Sequence, residues 1–315
     1  MDAWRALESR TARSLLLTRG LLWRDHVTHR LLLEALAAEG VEMDEVGASE
    51  VANYFPGLRP DGRDAVWEPG ASLVKASDSL DAHRMIFEAA NGALRCSTVR
   101  EVQVRSNGCR VILEAGRPLD VDVVVLAPGA GASPLLTSVG VDIPLRPSLQ
   151  QIVHFRDEER ASRFDDLPVL FDGRSGIEPA FYTMPTPGYG LKAGLDREIR
   201  ALANGDVDRS PNGRLVSETV KRVQRMLPGI GGSVFDVQTC TWTDSPDGRF
   251  IIDRLPSGVV VACGDSGEGF KFSALFGTLL ADLAEGHSAD SDLAAFGIGR
   301  FTNGVATTER HAVGR

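Results

Sequence analysis

A glycine-rich loop that ends in a lysine is the strongest candidate for chemistry in this chain. The segment GDSGEGFKF occupies residues 264–272. From Phe272 to Leu283 the apolar residues recur at i, i+3, i+4 and i+7, which predicts a helix with one buried face. The loop glycines and the helix N-terminus together present backbone N–H groups and partial positive charge. Lys271 opposes that dipole by roughly 0.3–1 kcal/mol, so we expect an electron-rich ligand at this point.

A second loop of the same kind lies earlier in the chain. Residues 123–133 read VVVLAPGAGAS, an apolar run that enters glycines. Taken alone, either loop is equally well explained as an ordinary strand–turn–helix junction, and neither has the GxGxxG spacing of a dinucleotide site. Taken together, the two loops predict a site where both approach one extended ligand.

Composition limits the classes of function. The 315 residues are 43% hydrophobic and 24% charged, which is typical of a soluble globular protein of one large or two ordinary domains. The net charge of −9 argues against nucleic acid or an anionic membrane as a partner. Cys96, Cys109, Cys240 and Cys263 form no CxxC pair, so we expect neither a metal site nor a disulfide framework. Without a signal peptide or a membrane-spanning run, the expected location is cytoplasmic.

The elements that must position the loops predict an α/β fold, a mixture of the α+β type. They are helices at 2–17, 24–38 and 79–91, a hairpin turning at Asn107-Gly108, and a strand buried on both faces at 121–127.

Two domains are predicted to be interleaved along the chain. Residues 79–147 and 246–315 form one α/β domain, and residues 1–78 and 148–245 form a strand-rich domain with a mixed or antiparallel sheet. Such interleaving places a ligand cleft between the two domains.

A long C-terminal segment carries a family resemblance. Residues 240–286 read CTWTDSPDGRFIIDRLPSGVVVACGDSGEGFKFSALFGTLLADLAEG, and they resemble the D-amino-acid oxidase superfamily, in particular its sarcosine oxidase and N-methyltryptophan oxidase branch. The segment FYTMPTPGYGLKAG at 181–194 resembles the same branch. The resemblance implies an incomplete, Rossmann-like FAD-binding domain interleaved with a substrate domain. It also implies FAD-dependent oxidation of a secondary or primary amine or amino acid to an imine.

The resemblance implies roles for several side chains near the substrate. Lys271 falls where the family pairs a lysine with the substrate carboxylate, and Tyr182 where a tyrosine hydrogen-bonds the substrate. Lys192 falls where a lysine faces the flavin and favours oxygen reduction. Asp196 and Glu268 stand where the family has histidines, and their carboxylates would attract a cation. Without the resemblance, solvated lysines and a core tyrosine remain equally good interpretations.

Flavin contacts are implied by the same resemblance. Cys240 falls where family members attach FAD covalently through a cysteine sulfur, although most free cysteines are small buried apolar residues. The remaining implied contacts lie in the two glycine loops, at Gly129, Ala130, Gly264, Ser266, Gly267, Glu268, Gly269, Phe270 and Lys271.

The family's opening strand, GxGxxG loop and helix have no counterpart in these residues. Three hypotheses stay open. The sequence is a piece of an ordinary flavin amine oxidoreductase, or a partner chain supplies the first unit, or the homologue is inactive alone and acts as a binding or interaction module. A nicotinamide-dependent dehydrogenase is disfavoured, because no dinucleotide fingerprint is intact.

Overall fold

The computed structural model describes residues 1–158, 161–173, 178–228, 232–287 and 291–302. The helices of these residues are α1 (Asp2–Thr11), α2 (His29–Ala38), α3 (Val51–Tyr54), α4 (Ala76–Ala89), α5 (Ala132–Ser138), α6 (Gly213–Met226), α7 (Ser273–Glu285), α8 (Ser291–Ala294) and α9 (Gly299–Thr302). Their strands are β1 (Leu16–Thr18), β2 (Leu21–Arg24), β3 (Asp44–Val46), β4 (Ala65–Glu68), β5 (Ser72–Val74), β6 (Val99–Arg105), β7 (Gly108–Leu113), β8 (Leu119–Val121), β9 (Val125–Leu126), β10 (Arg146–Arg156), β11 (Val169–Asp172), β12 (Phe181–Thr186), β13 (Gly190–Leu195), β14 (Arg200–Ala201), β15 (Ser233–Asp244), β16 (Ile251–Arg254) and β17 (Val260–Cys263). Short 3₁₀ turns lie at Gly129–Gly131, Ala161–Phe164 and Phe270–Phe272. This mixture of helix and sheet confirms the predicted fold class.

The largest sheet is built around β10. One edge of β10 pairs with β15, and the other pairs with β14 and β13. The sheet continues through β12, β11, β2, β4 and β3, and only β11 and β2 run parallel. Alternate residues of these strands, such as Val153, Phe181 and Leu191, point to one face and are fully or almost fully buried. Helix α6 covers that face with Val223 and Met226, so this face is the main hydrophobic core.

Helix α6 begins where the sheet holds its N-terminus. The side chain of Asn212 accepts hydrogen bonds from the N–H groups of Arg214 and Leu215, at 3.0 and 3.2 Å. The side chain of Gln151 on β10 accepts from the N–H of Asn212 at 2.7 Å and donates to its carbonyl at 3.3 Å. The cap therefore fixes the helix against the core face.

A smaller sheet consists of β16, β17 and β9, with β9 parallel to β17. The strand predicted at 121–127 is wrong in extent, because β9 covers only two residues of it and Val125 is 43% exposed. Val125 and Leu126 pair with β17 on one side, and no described strand pairs with the other side. Within the described residues, β9 therefore makes backbone hydrogen bonds to a neighbouring strand along one side only.

The predicted hairpin is confirmed in the third sheet, which joins β6, β7 and β8. Gly108 has φ +96°, and a Cβ at this position would collide with the carbonyl oxygen of Val121 on β8. A glycine is therefore needed both for the turn and for the close approach of β8.

The first two predicted helices are too long. Helix α1 ends at Thr11, and residues 16–18 form β1 instead. Helix α2 begins only at His29, because the Asp25 carboxylate accepts the N–H of Thr28 at 3.1 Å and holds a turn there. The third predicted helix, α4, has its described bounds within three residues of those expected.

Helix α1, in the predicted 1–78 segment, packs on β1 and also on elements of the other predicted domain. Trp4 and Leu7 pack with Ala82 of α4 and with Ala274 of α7. The division into domains stays a prediction, and residues 303–315 of the second segment lie outside the described residues. No helix within the described residues has the length and apolar character that crossing a bilayer requires.

Candidate active site

The second face of the large sheet carries the predicted polar residues. Residues opposite each other in an antiparallel pair share a face, as do residues two apart on one strand. On β10, Gln150 lies opposite Cys240 and His154 opposite Lys192. Tyr182 lies opposite Gly194, two residues from Lys192 on β13. Cys240, Lys192 and Tyr182 therefore share one face, opposite the hydrophobic core, and we call it the site face.

Tyr182 lies on β12 over a glycine. A Cβ on Gly194 would be 2.5 Å from the tyrosine Cζ, so the ring occupies space that only glycine leaves free. Burial raises the pKa of Tyr182, and the charges of Cys240 and Asp196 raise it further. The hydroxyl therefore remains protonated and able to donate a hydrogen bond. Asp196 follows the end of β13, where its N–H donates to the carbonyl of Ala180 at 2.8 Å.

Lys192 and Cys240 form an interacting pair on this face. Burial lowers the pKa of Lys192, and a negative charge at Cys240 would counteract that effect. The Cys240 thiol reaches solvent. Partial burial of the sulfur raises the pKa of Cys240, and the Lys192 charge only partly offsets this rise. The arrangement provides a reachable thiol beside a cation, at a polar surface.

Both glycine loops lie against β15. The loop after β17 is held by Ser266, whose N–H donates to the carbonyl of Thr243 at 2.9 Å. Asp265 accepts the N–H of Thr243 at 3.3 Å. Gly264 has φ +63°, and a Cβ there would lie 2.9 Å from the Cβ of Ser245. The turn at Gly129–Gly131, which includes Ala130, also contacts β15. The structure thus brings the two loops to one strand.

The end of the loop differs from the expectation. Helix α7 begins at Ser273, after the 3₁₀ turn that contains Phe270. Lys271 is 58% exposed and forms an ion pair with Glu268. Its ammonium therefore has a partner within the loop, whose backbone includes Gly267 and Gly269. The lysine predicted to add to the positive helix end is thus paired with a carboxylate of its own chain.

The apolar face of α7 is only partly buried, which corrects the sequence prediction. Leu283 is buried, and Phe276, Leu279 and Leu280 pack with it. Phe272 and Leu275 are 40% and 45% exposed. Helix α1 packs on Ala274 in the first turn, but the described residues leave Phe272 and Leu275 partly uncovered.

Two features of the site were missed by sequence reasoning. The Trp4 indole N–H donates to the carbonyl of Lys271 at 2.8 Å and so holds the loop in place from the other end of the chain. The donor and the acceptor are 267 residues apart, so no local sequence pattern predicts this hydrogen bond. His154 on the site face is 4% exposed. In the sequence, a single histidine within an alternating strand looks the same as a histidine of the hydrophobic core.

A charged cluster on the core face was also missed. Asp172 is fully buried and interacts with Arg24, Arg63 and Arg222. Asp172, Arg63 and Arg222 line a cavity of about 140 Å³. The parallel register of β2 and β11 places Arg24 opposite Asp172, a pairing that depends on two strands far apart in sequence.

Comparisons with known proteins agree with this architecture. The family model described as "FAD dependent oxidoreductase" (DAO) matches residues 1–283. Monomeric sarcosine oxidase of Bacillus sp. (strain B-0618) is 28% identical over 277 residues, covering 85% of this chain and 70% of its own. N-methyl-L-tryptophan oxidase of Salmonella enteritidis PT4 (strain P125109) is 26% identical over 269 residues, covering 83% and 70%.

The fold is shared with a solved structure, the open form of NikD, described as an unusual amino acid oxidase essential for nikkomycin biosynthesis. The match has a TM-score of 0.82 and 24% identity, and it covers 94% of this chain and 80% of that one.

Proposed function

From the premise that this chain belongs to the DAO family of FAD-dependent oxidoreductases, we propose that it oxidises a small amine or amino acid to an imine. The observation that carries the proposal is the meeting of Tyr182, Lys192 and Cys240 on the site face, next to both glycine loops. Sarcosine oxidases and N-methyltryptophan oxidases among the relatives support an amine with a small N-substituent as the substrate class.

The residues present fit a flavin. A planar ring needs a flat polar surface with donors at its edge, and the site face offers a sheet surface with an ammonium and a thiol that reaches solvent. When bound, FAD supplies the acceptor for two electrons and a proton from the substrate carbon. Tyr182 donates a hydrogen bond that orients the substrate. Lys192 provides positive charge beside the reacting region, which favours negative charge that develops there.

Lys271 is proposed to bind a substrate carboxylate. Its partner Glu268 is 45% exposed, and exposed ion pairs contribute only about 0–1 kcal/mol. A substrate carboxylate can therefore replace Glu268 at little cost. Lys271→Met should raise KM for carboxylated amines and leave KM for amines without a carboxylate unchanged. Equal increases for both classes would remove Lys271 from this role. Asp196 is proposed to face the substrate amine.

A covalent link between FAD and Cys240 is also proposed. The thiol reaches solvent on the site face, where a ring could approach it. The chain offers a matched control, because Cys96 is an exposed cysteine outside the site. After acid precipitation, the flavin absorbance should stay in the pellet for the wild type and Cys96→Ser. It should move to the supernatant for Cys240→Ser. Release from all three proteins would mean that the flavin is held without a covalent bond.

A partner chain that carries the GxGxxG unit is proposed to complete the FAD site. No described strand pairs with the second side of β9, so a strand of the partner can pair there. Val125, Phe270, Phe272 and Leu275 are exposed apolar side chains that such a unit would cover. The same surface favours the second candidate function, a homologue that is inactive alone and serves as an interaction module.

One experiment separates these proposals. The purified chain is titrated with FAD, alone and with a protein that carries the GxGxxG unit, and amine-dependent bleaching of the flavin band is followed. Bleaching by the chain alone supports an enzyme that needs no partner. Bleaching only after the GxGxxG protein is added supports the proposal of a partner chain. Failure to bind flavin under both conditions would overturn the oxidoreductase proposal and leave the interaction module.

A further inference from the structure

Three ionisable side chains form a row across the site face. His154 on β10 lies directly opposite Asp236 on β15 and directly opposite Lys192 on β13. Such opposed residues share a face, and their Cβ atoms are about 4.5–5.5 Å apart. A carboxylate, an imidazole and an amine therefore lie side by side on three adjacent strands.

The environment of His154 is unusual for a structural residue. The ring is 4% exposed, and its Nδ1 has no hydrogen-bond partner among the described residues. An unsatisfied buried polar atom destabilises the fold by about 1–3 kcal/mol. An aliphatic side chain would fill this position without that cost. The unpaired nitrogen leaves the imidazole able to take up or release a proton.

The carboxylate end of the row is well fixed. Asp236 accepts the Tyr189 hydroxyl at 2.8 Å and the Gln238 amide at 2.7 Å. The Tyr189 ring packs edge-on against His154, with centroids 5.0 Å apart. Two residues along β10, the Arg156 guanidinium lies 3.6 Å over the Phe235 ring. Asp236 and Lys192 at the two ends of the row are both half-buried, whereas His154 between them is buried.

The charges that face His154 favour its neutral form. Burial lowers the pKa of His154, the Lys192 charge lowers it further, and the Asp236 charge acts in the opposite direction. Burial also lowers the pKa of Lys192. The protonated forms of His154 and Lys192 therefore lose their protons more readily than in water, which favours proton transfer between them.

We propose that His154 is a positioning residue that passes protons between Lys192 and solvent, with the negative charge of Asp236, directly opposite, stabilising the imidazolium. After Lys192 has given up its proton, the imidazolium of His154 gives one proton to the neutral Lys192 amine and then takes a proton from water at the Asp236 side. Only N–H and O–H bonds form and break, and no electron is transferred. The catalytic meaning of this relay rests on the proposed function, in which Lys192 faces the flavin.

The row is tested by measuring the pKa of His154 by NMR in the full chain. The His154 signal is identified as the one that disappears in His154→Gln. Lys192→Met should raise the pKa of His154, and Asp236→Asn should lower it. Lys221→Met on α6, beyond the core face, should leave it unchanged. Unfolding cannot imitate this pattern, because it would raise the pKa in both site variants. If the two site variants shift the pKa of His154 in the same direction, or do not shift it, the three side chains do not interact as proposed.

The relay itself is tested on flavin-loaded protein. His154→Gln should slow proton-dependent reoxidation of the flavin by at least about tenfold, with KM for the amine unchanged and partial rescue by added imidazole. Reoxidation with an unchanged rate and pH profile would refute the relay. If no flavin binds, the proposed function fails, while the titration still decides whether the three side chains are coupled.

Discussion

Neutralising Asp172 is expected to destabilise the whole large sheet. The carboxylate is fully buried and accepts hydrogen bonds from Arg24 Nε at 3.1 Å, Arg63 Nη2 at 2.6 Å and Arg222 Nη2 at 2.7 Å. Asp172→Asn keeps the size of the side chain and removes its charge. The three arginines then face less negative charge than before.

The expected loss can be worked from these contacts. Three hydrogen bonds between charged groups contribute about 1.5–3 kcal/mol each, but they share one carboxylate and do not add. Removal of one partner from a buried ion pair costs about 3–5 kcal/mol. Asparagine still accepts one hydrogen bond, so we expect the lower end, about 3 kcal/mol. That is a large share of a typical unfolding free energy of about 5–15 kcal/mol.

Urea denaturation followed by circular dichroism measures this loss. The matched control is Asp120→Asn, since Asp120 pairs with Arg110 at 2.6 Å but is 62% exposed. The control should cost less than about 1 kcal/mol. If both variants unfold at the same urea concentration, the buried network does not stabilise the sheet as argued.

Three further predictions follow from single contacts. Gly194→Ala should displace the Tyr182 ring and lower the unfolding free energy by about 1–3 kcal/mol, measured by urea denaturation with tyrosine fluorescence. Asn212→Ala should cost about 1 kcal/mol, because α6 loses its cap, whereas Asn212→Asp should retain most of the stability. Burial opposes ionisation of Asp247, but hydrogen bonds and charge from Arg300 outweigh it and lower the pKa of Asp247. Its stabilisation is therefore present above the unfolded-state pKa of about 4 and is lost as pH falls further. Asp247→Asn should weaken the pH dependence of stability in acid, and an unchanged dependence would contradict this assignment.

Local patterns predicted the elements that local chemistry determines. The hairpin at Asn107-Gly108 follows from the turn sequence, and α4 and α7 follow from apolar spacing. The same reasoning failed where a partner at a distance decides the outcome. Residues 16–18 have helix-forming leucines, yet they become β1 because β5 pairs with them.

The site shows the same division. Tyr182, Lys192 and Cys240 were identified through a family resemblance, and the strand register then places them on one face. The Lys271–Glu268 pair changes the electrostatics expected for the helix start, since periodicity describes apolar faces and not the rotamers of charged side chains. His154 could be interpreted only once β10 was known to lie between β13 and β15.

The hydrogen bond from Trp4 to the carbonyl of Lys271 constrains how this protein matures during synthesis. Its two ends are 267 residues apart, so α1 leaves the ribosome long before its acceptor exists. Contacts of such high sequence separation form slowly, because the chain between them must first be ordered. The glycine loop at 264–272 therefore completes this contact only late in synthesis, and a nascent chain halted before Lys271 would leave the Trp4 indole without its acceptor.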